Sequence, residues 1–79
     1  MLEATISVIP VQAGWAVQAD GEEATVFLRG GRAEAHAQRL GQATWAAGIP
    51  ALVLIHNRSG ELVGSWRFGP GENTGPQGT

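Results

Sequence analysis

Apolar and polar positions alternate along five short stretches of this chain and recur at helical spacing along one. Thr5 to Val11 sets Ile6 and Val8 on one side and Thr5 and Ser7 on the other, the pattern of a half-buried strand. Trp15-Ala16-Val17-Gln18 and Thr25-Val26-Phe27-Leu28 flank Asp20-Gly21, a pair suited to a two-residue hairpin turn with positive φ at both positions. That turn sets Ala19 against Glu22, Val17 against Ala24 and Trp15 against Val26, which sends Phe27 and Arg29 to the opposite face. Further along, Leu52 to His56 and Leu62 to Trp66 flank Asn57-Arg58-Ser59-Gly60, which reads as a type I turn with Gly60 left-handed. Continued from there, the ladder pairs His56 with Leu62, Leu54 with Gly64 and Leu52 with Trp66. One face then carries Leu52, Leu54, His56, Leu62 and Trp66; the other carries Val53, Ile55, Val63 and Ser65.

Between the hairpins, Arg32 to Ala47 has helical periodicity. Ala33, Ala37, Leu40, Thr44 and Ala47 form a narrow stripe of mostly small residues, which lets a helix sit close to a sheet. Gly30-Gly31 ends the preceding strand and opens the helix, Gly48 suits the left-handed cap, and Pro50 stops continuation. The expected fold is α+β, in the order β-β-β-α-β-β, with a mainly antiparallel sheet and one helix packed on one face. Strand order across the sheet is left open by the pattern. Residues 1–68 make one domain; residues 69–79 contain no hydrophobic residue and read as a disordered Gly/Pro-rich tail.

Composition narrows the functional classes. With 79 residues and no cysteine, the chain has neither disulfides nor thiolate ligands to compensate for its size. Its hydrophobic fraction of 43% suits a globular protein. Seven carboxylates against five arginines, with no lysine, give a net charge of −2. A nonspecific nucleic-acid binder gains most of its affinity from phosphate neutralisation, so this balance disfavours that class. Ala51 to Ile55 is the longest apolar run and is too short to span a bilayer. The start, Met1-Leu2-Glu3, lacks a signal-peptide pattern, so a cytoplasmic location is expected.

Reactive groups are few. His36 and His56 fall on the expected helix–sheet interface, where they would supply only two of the ligands a zinc site requires. No metal, cofactor or catalytic residue is assigned. Ser7, Ser59 and Ser65 lack the glycine-flanked elbow of a nucleophile, and no carboxylate pair is poised for acid–base work. Gly30-Gly31 before a helix is a weak anion motif, better read as strand termination.

The motifs Gly14-Trp15-Ala16-Val17, Arg32-Ala33-Glu34-Ala35-His36-Ala37 and His56-Asn57-Arg58-Ser59-Gly60, in that order, resemble a family of small bacterial proteins catalogued as domain of unknown function 2188. The resemblance spans roughly Ile6 to Phe68. It departs at Ser59, where the family usually has aspartate, and at His36, where an aliphatic residue is usual. It implies a compact strand–helix–hairpin domain and no catalytic residues.

One helix covers only one sheet face. The expected register leaves Phe27, Val53, Ile55 and Val63 on the other, with Trp45 at the helix flank as a further contact candidate. The leading expectation is therefore a noncatalytic domain that self-associates as a homodimer, or binds a protein partner, through that face. The alternative is a nucleic-acid-binding module using the same face, with Phe27 stacking and Arg29, Arg58 and Arg67 meeting phosphate.

Overall fold

The computed structural model of the chain describes residues 3–69. Apart from Gly69, the expected tail lies outside the described residues. The elements run β1 (Ala4–Val11), β2 (Gly14–Ala19), β3 (Thr25–Phe27), α1 (Gly30–Ala46), β4 (Ala51–His56) and β5 (Leu62–Phe68). This is the expected α+β order, with the helix packed against one face of the sheet.

The sheet is ordered β3-β2-β1-β4-β5. Three of the four neighbouring pairs are antiparallel; in the other, β1 and β4 run parallel with Ile6 beside Val53 and Val8 beside Ile55. Parallel neighbours need a crossover connection, and β2, β3 and α1 together supply it. The crossover lays α1 over the middle of the sheet. Beneath it sit Ile6, Val8, Val17 and Val53, the largest fully buried side chains, with Ala33 and Ala37 of the helix closing on them. Each such aliphatic contributes about 1.5–3 kcal/mol by leaving water.

The helix ends as its sequence foretells. Gly48 has φ +93°, its N–H donates to the Trp45 carbonyl, and the Ile49 N–H donates to the Thr44 carbonyl. Those two bonds are a Schellman cap. The packed stripe contains Gly41 in addition to Ala33 and Ala37. A methyl group at Gly41 would lie 2.8 Å from the Phe68 ring, so this helix–sheet contact requires glycine.

Both hairpins depart from the expected register by one residue. In the first, Trp15 pairs with Phe27, Ala16 with Val26 and Val17 with Thr25. The Glu22 N–H does donate to the Ala19 carbonyl, but within the turn only Gly21 has positive φ and Asp20 does not. The turn is therefore not type I′. Its backbone splays the strands, and one extra residue is taken up before pairing begins. Asp20 instead accepts the Thr5 N–H at 3.1 Å, which ties the turn to β1. In the second hairpin the turn forms as expected. The Asn57 N–H donates to the Glu61 carbonyl at 2.8 Å, and His56 pairs with Leu62. A bulge then shifts the ladder, so that Ile55 pairs with Gly64 and Val53 with Trp66. The cause lies across the sheet. The parallel pairing with Ile6 and Val8 commits Val53 and Ile55 to the helix face, and the bulge lets Trp66 and Phe68 join them.

Candidate interaction surfaces

A one-residue shift reverses every side chain in a strand. Three of the expected interface residues consequently move under the helix. Val53 is 0% and Ile55 5% exposed within the core. Phe27, half-buried, packs against that core and meets the His36 ring at 5.1 Å between centroids. None of the three belongs to the helix-free face, and Phe27 is not a stacking platform there. Val63, by contrast, is exposed at the β5 bulge, and Trp45 is 36% exposed near the end of α1.

The residues that take their places come from the other phase of each strand. Ala16 lies between Val26 and Ile9 in the ladder. His56, next after Ile55 in β4, continues that row to its partner Leu62. A row that is apolar except for His56 thus crosses the helix-free face from Val26 to Leu62, both more than half exposed at 59% and 57%, with Ala16 buried within it. Leu52 and Leu54 widen it along β4, each half-buried. Polar residues border it: Ser7 lies between Gln18 and Leu54, and Leu54 faces Ser65. Alternation in β1 was the available signal. Once Ile6 and Val8 are core and β4 lies beside them in parallel, Leu52 and Leu54 must face away.

Of the arginines expected to meet phosphate, two are already engaged. Arg67 forms an exposed ion pair with Glu3. Arg58 donates from Nη1 to the Val11 carbonyl at 2.9 Å, and its guanidinium lies 4.5 Å from the centre of the Trp15 ring. It works as a clasp across the β1–β2 end of the sheet, with a cation–π contact to the aromatic face. The Arg29 guanidinium has no hydrogen-bond or ion-pair partner among the described residues, while its carbonyl accepts the Ala33 N–H.

The histidines are kept apart. His36 stands on the helix beside Phe27, whereas His56 extends from β4 with Nδ1 3.0 Å from the Val8 carbonyl oxygen. Among the described residues no three histidine, cysteine or carboxylate side chains gather as a metal-ligand set. No helix is long and apolar enough to cross a membrane among them either.

At the β3 edge, Val26, Phe27, Leu28, Arg29 and Arg32 line an open cleft of about 320 Å³. Leu28 is 81% exposed there. The sequence pattern does not disclose this cleft, because an unbroken hairpin register puts Val26 in the core and the shifted ladder puts it outside.

No family model, curated protein or solved structure matches the chain.

Proposed function

We propose that this chain is a noncatalytic cytoplasmic module that pairs with a second copy of itself through the helix-free sheet face. The supporting observation is the band from Val26 through Ala16 and Ile9 to His56 and Leu62, together with Leu52 and Leu54. An antiparallel edge of a sheet can face water, but then its outward residues are polar. Here an apolar row lies at one end of the strands, with Leu52 and Leu54 set among polar neighbours beside it, and a solvated face would ordinarily carry neither. Two-fold pairing brings the same band onto itself and needs no further surface. It also enlarges the small core that so short a chain builds alone. The likeness of the Gly14-Trp15, Ala33-Glu34-Ala35 and His56-to-Gly60 motifs to domain of unknown function 2188 agrees with a small bacterial domain lacking catalytic groups.

Sedimentation of the unmodified chain over a hundredfold concentration range is the direct test. A dimer is expected, and Val26→Glu with Leu62→Glu should yield a folded monomer, since both side chains are exposed and contribute little to the core. A chain that stays monomeric throughout would overturn the self-pairing.

A further inference from the structure

We infer that the open edge of β3, with the adjoining flank of α1, receives an extended peptide segment in which acidic and apolar residues alternate. β3 ends the sheet, and among the described residues no strand lies beyond it. Such an edge leaves backbone N–H and C=O groups free to pair with an added strand. The added strand's side chains would alternate between the two sheet faces, and the surroundings of β3 specify what each face must carry.

On the helix side the demand is for negative charge. Arg32, His36 and Arg39 recur at i, i+4 and i+7, so they share one flank of α1. The contact of His36 with Phe27 fixes that flank as the one above β3. Arg29 stands at the head of the row, and Arg29 and Arg32 both line the cleft. Neither these two nor Arg39 has an ion-pair partner among the described residues, although the chain as a whole is acidic. On the other side the demand is for apolar groups. Val26 lies there, exposed, with Leu28 exposed just past the end of the strand, and an incoming apolar residue would extend the band that Val26 begins. The charged residues that line the cleft, Arg29 and Arg32, are both cationic, whereas Glu22 and Glu23 precede β3 in the chain. The acidic residues of the guest therefore belong at the Arg29 end.

The opposite edge is a poorer host. β5 is kinked by its bulge, and its Arg67 is already paired with Glu3. A nucleic-acid strand meets the arginines but has no use for the exposed backbone of β3 or for Leu28. The β3 cleft shares Val26 with the face proposed for self-pairing, so Leu62→Glu alone reports on the pairing and the Arg29 and Arg32 variants alone report on the cleft.

The probe is a fluorescein-labelled hexapeptide of alternating glutamate and valine, titrated with the full chain by fluorescence anisotropy at low salt. Amide NMR shifts are recorded in parallel. Binding is expected to move the Thr25–Arg29 amides, to weaken as salt rises, and to be absent for the lysine–valine counterpart. Arg29→Ala with Arg32→Ala should lower the affinity about tenfold, as expected for two exposed charge pairs. Neither side chain has a partner among the described residues, so circular dichroism should show the variant folded. Arg29→Glu with Arg32→Glu should transfer binding to the lysine–valine peptide. The inference is overturned if the alanine variant binds as well as the parent, if the shifts map to β5, if no binding occurs, or if a single-stranded oligonucleotide outcompetes the peptide.

Discussion

Truncating adjacent residues in β4 discriminates between the two possible faces of that strand. Val53→Ala removes two carbons from a side chain with no exposed surface, between Ile6 of β1 and Trp66 of β5. At about 0.8 kcal/mol for each buried CH₂, the transfer contribution is about 1.6 kcal/mol. The void left beneath α1 adds about 1 kcal/mol, because a close-packed interior relaxes only in part. Leu54→Ala removes more atoms, three carbons, but Leu54 is half-buried on the open face. Its loss leaves no closed void, and about 1 kcal/mol is expected. The smaller deletion should therefore cause the larger effect. Against a total stability of about 4–12 kcal/mol for a chain of this size, Val53→Ala is a severe change. The corresponding fall in Tm is about 10–20 °C, compared with about 4–8 °C for Leu54→Ala. Urea and thermal unfolding followed by tryptophan fluorescence would measure both, since Trp15 and Trp66 pack against the core. Runs at two protein concentrations, extrapolated to the dilute limit, remove any contribution of self-pairing at Leu54. A Leu54→Ala loss larger than that of Val53→Ala in the dilute limit would refute the bulged register.

Gly14→Ala should destabilise by about 3 kcal/mol or more, because its methyl group would lie 2.1 Å from the Phe27 carbonyl oxygen, and neither backbone yields without moving β3. Chemical denaturation reads the cost, and loss of the Phe27–His36 ring contact in NMR spectra reads the displacement. Asn57→Ala should cost about 1–2 kcal/mol in thermal unfolding, since its Oδ1 accepts the Ser59 and Glu61 N–H groups at 2.9 and 3.0 Å. An unchanged Tm would mean that water replaces this side chain in the turn.

What the chain disclosed about itself divides cleanly between local and distant causes. The helix and its Gly48 cap, the turn at Asn57-Arg58-Ser59-Gly60, and the element order all follow from neighbours within a few residues, and all are present. The parallel pairing of β1 with β4 joins residues nearly fifty positions apart, and no local pattern encodes it. The turns themselves were placed correctly, yet each ladder slipped by one residue beyond its turn. Glu22 still closes on Ala19, but Val17 meets Thr25; His56 still meets Leu62, but Ile55 meets Gly64. Counting outward from a turn assumes an unbroken ladder, and a bulge changes the parity at no visible cost in sequence. The same slip moved Phe27, Val53 and Ile55 inward and brought Val26, Leu52 and Leu54 outward. The clasp of Arg58 on Val11 and Trp15 was equally hidden, because it joins the second hairpin to the first.

The parity of each strand should therefore be anchored at its most deeply buried neighbour and not at its turn. In β4 that neighbour is β1, whose Ile6 and Val8 are almost wholly buried. In β3 it is β2, where Val17 lies in the core and Trp15 packs against it. Anchored so, both strands yield a consistent partition. Residues next to Val17, Ile6 and Val8 serve the helix, and those of opposite phase serve the outside. The outward phase of β3 supplies Val26, with Leu28 exposed just beyond the strand; its inward phase supplies Phe27, which meets His36 and thereby sets the arginine-bearing flank of α1 over the sheet edge. The shift that removes Phe27 from the helix-free face is thus the same shift that gives the β3 edge one apolar side and one cationic side. A guest that prefers the β3 edge reads that difference together with the bulge and the Arg67–Glu3 pair that make the β5 edge a poorer host.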